Sequence, residues 1–250
     1  MSHINIRHLS LAFGEKIIFS QLNAELPAGQ WIGLLGTSGI GKSSLLRMIA
    51  GLTTAEVKSS GTIHARNNVP VHLQIAYMAQ TDLLLPWLTV LDNSTLGLKL
   101  RHHSYNTNQL AMEKAKSLLD KVGLSYAMHL YPHQLSGGMR QRVALVRTLM
   151  EEKPIILMDE PFSALDAITR YKLQALAVDL LKEKTVFFIT HDPSEALRLA
   201  HIIYIMQGRP AFLKPVAHLS SAIPRELTDP ETSKLQTDLF HQLANMSDAS

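Results

Sequence analysis

Residues 36–43 read GTSGIGKS, and few short stretches restrict a fold more. The pattern G-x-x-x-x-G-K-[ST] carries its chemistry only when a strand runs into it and a helix runs out of it. Both flanks are present. Trp31 to Leu35 is a short apolar run of the kind a buried parallel strand shows, and a helical pattern starts near Lys42 and stops at Gly51. In that setting the glycines let backbone N–H groups point inward, and the helix N-terminus adds partial positive charge. Gly36, Thr37, Ser38, Gly39, Ile40 and Gly41 form the phosphate cradle, with Ser44 beside it on the helix. Lys42 is expected to reach the β- and γ-phosphates and the Ser43 hydroxyl to ligate Mg²⁺. The bland alternative, a chance glycine turn, does not account for the strand and helix on either side.

The rest of the chain supplies the sheet that such a loop needs. Ile155–Met158, Thr185–Ile189 and Ile202–Met206 are further apolar runs separated by helical patterns. That alternation predicts a mostly parallel sheet covered on both faces. The N-terminus differs. Ile4 and Ile6 alternate with polar neighbours, Leu9, Leu11 and Phe13 continue after one slip of phase, and Leu22, Ala24 and Leu26 alternate again after a turn at Gly14–Lys16. Residues 53–74 are polar and read as short β structure and loops, and Ile75–Met78 is one more strand. From about residue 81 to 130 the pattern turns helical, with Leu110, Lys114, Leu118, Leu119 and Val122 marking one amphipathic helix. The segment from about 207 is punctuated by Pro210, Pro215, Pro224 and Pro230 and is too short for a second full domain.

Two carboxylates stand at one strand end. IILMDE, residues 155–160, places Asp159 and Glu160 where open α/β sheets bind ligands. Asp159 suits Mg²⁺, usually through water, while Glu160 suits the general base that polarises an attacking water. Alone, the pair also reads as a solvated acidic strand end. His191 closes TVFFIT and precedes Asp192-Pro193-Ser194-Glu195, an N-cap, an N1 proline and a capping-box glutamate. It is a candidate for contact with the γ-phosphate or the attacking water, against the plainer role of a structural histidine. LSGGMRQRV, residues 135–143, is a second phosphate-shaped corner. Ser136 can cap the amphipathic segment that follows, and Gly137 and Gly138 leave the backbone accessible.

Composition excludes more than it assigns. With 250 residues, one large α/β domain or one domain with a subdomain is expected. No cysteine is present, which rules out disulfides and thiolate metal sites. The twelve histidines are scattered, and the adjacent His102 and His103 fall in a polar stretch, so a histidine metal site is not expected. A net charge of +3 without a Lys/Arg run argues for no nucleic-acid partner. The N-terminus lacks a signal-peptide core, and no apolar run is long enough to span a membrane, so any membrane must come with a partner.

Taken in order, GTSGIGKS, YMAQTDLLLPWLTVLDN, LSGGMRQRVALVRTL, IILMDEPFSALD and THD resemble the ATP-binding subunit of ABC transporters over roughly residues 3 to 230. The resemblance implies an α/β P-loop NTPase with a mostly parallel, RecA-like core. It adds an N-terminal antiparallel β subdomain and a helical subdomain, about 81–150, inserted after the Q-loop. The cassette would fill 1–230, with a helical tail over 231–250. It implies ATP and Mg²⁺ as ligands. Cassettes of this kind pack head to tail, so Ser136, Gly137 and Gly138 would contact the γ-phosphate held by a second copy. Gln80 would be the Q-loop glutamine, a sensor of Mg²⁺ and of the attacking water. Ala164-Leu165-Asp166 would be the D-loop crossing the dimer interface, and Phe13 would stack on adenine in place of the commoner Tyr. Met139 replaces the glutamine usual at the end of the signature. With Glu160, Gln80 and His191 all present, a competent ATPase is implied.

LLPWLTVLDN, residues 84–93, and the tail IPRELTDPE, residues 223–231, are similar to an importer subfamily. That subfamily handles nitrate, sulfonates, taurine and pyrimidine precursors of thiamine. This implies a homodimer of cassettes with two permease subunits and a solute-binding protein, peripheral on the cytoplasmic face of the inner membrane. Leu83 to Trp87 would form an apolar rim for a permease helix; the plainer reading is core of the helical subdomain, which fits Leu88 and Leu91, while Trp87 beside Pro86 reads either way. A soluble ABC ATPase of iron–sulfur assembly is the alternative, and LLPWLTVLDN argues against it. Chromosome-type ABC ATPases need long coiled coils between the two phosphate corners, and no heptad run is present here. The translation type usually carries two cassettes, and only one P-loop is found. A generic P-loop kinase has no use for LSGG.

Overall fold

The structure, a computed structural model, describes residues 3–53, 57–65, 67, 69–101, 105–226 and 230–247. His102 and His103, and part of the 223–231 tail, lie outside these residues. Along the chain come strands β1 (Ile4–Phe13), β2 (Lys16–Leu26) and β3 (Trp31–Leu35), helix α1 (Lys42–Ile49), strands β4 (Val57–Ala65) and β5 (Ile75–Met78), and helices α2 (Val90–Arg101), α3 (Tyr105–Lys121) and α4 (Gly137–Leu149). Strand β6 (Ile155–Asp159), helix α5 (Ala167–Leu180), strand β7 (Thr185–Ile189), helix α6 (Pro193–Leu199), strands β8 (Ile202–Gln207) and β9 (Phe212–His218) and helix α7 (Pro230–Ser247) complete it. The chain divides into two compact units, one built from residues 1–75, 154–160 and 182–250, the other from 76–153 and 161–181.

In the first unit a small antiparallel sheet runs in the order β2-β1-β4. Ile4, Ile6, Leu9 and Leu11 of β1 are buried. The phase slip between Ile6 and Leu9 has a physical cause: the register with β2 shifts there, and His8 takes a left-handed φ of 50°. An extra residue in one strand re-aims the following side chains inward.

The larger sheet, within this unit, runs β6-β7-β3-β8-β9. Strands β6, β7, β3 and β8 are parallel, and every residue of β3, β6 and β7 is buried. That is why they read as unbroken apolar runs and not as alternations. The register aligns Leu34 of β3 and Asp159 of β6 with Ile189 of β7. The residues following these strands therefore leave the sheet along one edge. Strand β9 was not foreseen in the proline-punctuated tail. It is an antiparallel edge strand against β8, mostly exposed or half-buried, with Pro215 opposite Tyr204 at a register shift. An edge strand leaves one side of its backbone unpaired and tolerates proline.

In the second unit the buried stripe of α3 is Ala111, Ala115, Leu118, Leu119 and Val122, while Leu110 is 75% exposed. The expected placement of Leu110 on the apolar face is thus corrected by one position: two alanines, weak hydropathy signals, set the real face. Helix α4 contributes Val143, Ala144, Leu145 and Val146 to the core of this unit. The helical pattern expected from about residue 81 starts only at Val90. Residues 85–89 form a loop held by Asn93, which is fully buried. Its Nδ2 donates to the carbonyls of Leu85, Leu88 and Thr89, and its Oδ1 accepts from Leu85 N. Leu91 is core, Leu88 half-buried, and Leu83 and Trp87 are exposed.

Candidate nucleotide site

The loop after β3 turns on two glycines that no other residue can replace. Gly36 has φ 153°, and a Cβ there would lie 2.7 Å from the carbonyl oxygen of Met206. Gly41 has φ 114°, caps α1 in the left-handed region, and would press a Cβ to 2.6 Å from Ile18. The second contact also packs β2 against the start of α1. Phe13, on the same hairpin, ends β1 with its ring 48% exposed.

Lys42 is buried and its Nζ donates to the carbonyls of Gly36 (2.8 Å) and Thr37 (2.9 Å), so the ammonium sits inside the loop it follows. Burial lowers its pKa, and Glu160 and Asp159 partly oppose that shift. Asp159 is 2% exposed. Burial raises its pKa first of all, the Ser43 hydroxyl donating to the carboxylate lowers it, and the neighbouring Glu160 charge raises it again. A hydroxyl and a carboxylate joined in this way form a hard-oxygen donor pair. Mg²⁺ keeps most of its shell for water and phosphate oxygens and needs only one or two protein oxygens, so the pair fits it. Among the described residues no group of three His, Asp or Glu is placed to hold a metal, which leaves this smaller donor set as the candidate.

Glu160 is the first residue beyond β6 and takes a left-handed φ of 49°. Its N–H donates to Ile189 O at 3.1 Å. A non-glycine residue in that region is strained, and such strain concentrates at working sites. The kink separates the direction of Glu160 from that of Asp159. Its carboxylate comes to 3.4 Å from Nδ1 of His191, an exposed side chain on the corner after β7. That corner is fixed by Asp192, whose N–H donates to Thr190 Oγ1 and whose carboxylate caps α6 through Ser194 N. Residues 36–43, Asp159, Glu160 and His191 thus gather at one edge of one sheet.

The remaining candidates belong to the second unit. Gln80 is exposed just after β5. Ser136 caps α4, its Oγ accepting from Met139 N at 3.3 Å, and Ser136 and Gly137 are exposed. A Cβ on Gly138 would meet Leu165 at 3.1 Å and Ala164 O at 3.5 Å, so the signature turn lies directly against residues 164–165. Gln141, buried on the next turn, accepts from Ala164 N. Asp166 is exposed and caps α5 through Thr169 N, a bond that lowers its pKa. Gln141 was not marked from sequence; its amide on α4 faces a loop distant in the chain, which no local pattern reports.

The chain is similar to known proteins along most of its length. The ABC transporter family model matches residues 19–163. An uncharacterized ABC transporter ATP-binding protein of Haemophilus influenzae is 43% identical over 244 residues, covering 96% of this chain and 98% of that one. An aliphatic sulfonates import ATP-binding protein of Paracoccus denitrificans is 38% identical over 242 residues, covering 96% and 93%. Among solved structures, a dimeric ATP-binding cassette in a post-hydrolysis state with ADP and Pi superimposes with a TM-score of 0.76 at 27% identity, over 88% of this chain and all of that one.

Proposed function

The chain belongs to the ABC transporter family, and on that premise we propose that it is the ATP-hydrolysing subunit of an importer for a small anionic solute of the aliphatic sulfonate class. It is an ATPase, and its ligand is ATP. The observation that carries the importer reading is likeness along nearly the whole chain to a sulfonate import subunit. The wider solute set of nitrate, taurine and hydroxymethylpyrimidine compounds remains compatible with residues 84–93. Among the described residues no helix is long and apolar enough to cross a membrane. The channel would therefore come from two permease subunits with a solute-binding protein, the cassettes docking from the cytoplasmic side of the inner membrane. Leu83 and Trp87, exposed beside the Asn93-held loop, are the proposed contact.

The mechanism follows from the residues at the sheet edge. Lys42 leaves the Gly36 and Thr37 carbonyls to bind the β- and γ-phosphates, and Phe13 offers a ring to the adenine. Ser43 and Asp159 would hold Mg²⁺, which would neutralise phosphate charge. Glu160 takes the proton of the attacking water, and His191 holds the Glu160 carboxylate and faces the γ-phosphate. Ser136, Gly137 and Gly138 would close over the γ-phosphate bound by a second copy, with Asp166 at the shared interface. Since ATP contacts both copies only when they close, its binding favours the closed dimer, and hydrolysis releases it.

Deleting the gene should abolish uptake of a labelled aliphatic sulfonate, and the chain should co-purify with a membrane permease. Uptake unchanged by the deletion would overturn the sulfonate assignment. Recovery with soluble iron–sulfur assembly proteins instead of a permease would replace the importer reading with its rival.

A further inference from the structure

The second unit contains a set of charged side chains that the nucleotide chemistry leaves unused. Asp82 lies two residues beyond Gln80, and three of its oxygens are engaged. Oδ1 accepts from Leu84 N at 3.1 Å, Oδ2 accepts from Arg140 Nε at 3.0 Å, and its carbonyl accepts from Arg147 Nη2 at 2.5 Å. Arg147 Nη1 also donates to Leu83 O at 2.8 Å. Arg140 spans two partners, since its Nη1 donates to Leu135 O at 2.8 Å, immediately before Ser136. Between these bonds Leu83 is held at a left-handed φ of 49° with its side chain 61% exposed. A leucine adopts that backbone only where its surroundings over-determine it. Two arginines about two turns apart on one face of α4 therefore clamp the stretch after Gln80, and one of them also grips the start of the signature turn.

We propose that Asp82, Arg140 and Arg147 are positioning residues that fix the signature turn Leu135–Gly138 relative to the segment following Gln80, so that movement of the exposed Leu83–Trp87 stretch is delivered to Ser136. The inference rests on the reading in which Ser136 works on a second copy's ATP. The guanidinium fork of Arg140 is the essential element. Its Nε and Nη1 serve Asp82 and Leu135 O together, and a single ammonium cannot hold that two-pronged geometry. Charge alone is therefore not sufficient. Asp82 also closes a local turn through Leu84 N, so Asp82→Asn keeps the shape of the side chain while weakening the charged contact.

The test uses the full chain carrying Glu160→Gln, in which ATP should trap the closed dimer. Two quantities are measured: ATP affinity of the chain, and the chain concentration at which the ATP dimer forms. Arg140→Lys and Asp82→Asn should leave ATP affinity within about twofold and raise the dimerisation midpoint by about tenfold, the effect of roughly 1.4 kcal/mol. Ser136→Arg is the control for the underlying reading and should abolish the dimer. If Ser136→Arg still dimerises, the signature reading itself fails. If Ser136→Arg blocks dimerisation while Arg140→Lys and Asp82→Asn dimerise like the parent, the positioning role is overturned. Equal loss of ATP affinity and dimerisation would also overturn it, because a general loss of structure moves both.

Discussion

Asp159 shows at the scale of one residue how a buried carboxylate opposes stability. Its folded pKa is raised above the ordinary 3.8, chiefly by burial. The folded chain then keeps a proton that the unfolded chain releases, so stability falls as pH rises through the window above 3.8. At neutral pH the buried carboxylate is a deficit that a metal ion would offset. Asp159→Asn, which can still accept from Ser43, should raise the melting temperature of the metal-free protein at pH 7 by roughly 2–4 °C. The gain should fade as pH falls below about 3, where the wild-type carboxyl is protonated in both states. The extra stabilisation by Mg²⁺ with ATP should disappear in the variant. Thermal melts at the two pH values check this, and a variant less stable at pH 7 would contradict it. Glu160 differs although it is adjacent: the φ of 49° turns it out of the strand toward His191. Both acids are visible in IILMDE, but the kink that divides their directions is not, because it depends on the Ile189 carbonyl of another strand.

At the scale of elements, the loop before α2 is held by one side chain. Asn93 makes four hydrogen bonds to backbone groups of residues 85–89 while fully buried. Asn93→Ala would strand several of those groups, and leaving buried polar groups unsatisfied costs about 1–3 kcal/mol. We expect Asn93→Ala to lower unfolding stability by about 2–3 kcal/mol in urea titration, with larger losses if more than one group stays unpaired. A change below about 0.5 kcal/mol would mean that the loop does not need this anchor. Residues 84–93 were singled out from the sequence as a unit. The reason they behave as one, a buried amide collecting carbonyls from a preceding loop, required coordinates. The opposite holds for α4. Its start at Ser136, its glycines and its apolar stripe were all legible because caps and helical periodicity are local.

At the scale of the whole molecule, one chain holds the P-loop and both acids on one unit, and the signature on the other. If the signature serves a second copy, turnover must depend on protein concentration, because each working site is assembled from two chains. Specific ATPase activity should rise steeply with concentration in the detached subunit, and Glu160→Gln should slow turnover by about 10²–10⁴ while a dimer accumulates with ATP. Size-exclusion chromatography with ATP, run beside a phosphate-release assay, reads both. A concentration-independent rate at full activity from a monomer would refute the shared site.

The sequence by itself determined the P-loop turn, the buried strands and the cap of α4, all of which are local in the chain. The spacing of GTSGIGKS dictates a glycine-lined turn before a helix, fully apolar runs dictate parallel strands buried on both faces, and the apolar runs that end in DE and H place those residues at strand ends. These hold because backbone sterics and side-chain periodicity act over a few residues. Only the tertiary structure decided which residues meet across long stretches of chain. The Glu160–His191 contact, the grip of Arg140 and Arg147 on residues 82–83, the seat of Gly138 on Leu165 and the edge strand β9 are all of this kind. Each depends on hydrogen bonds or close packing between segments whose approach is set by the register of the strands and the crossing of helices, and a single sequence carries no periodic mark of such pairings.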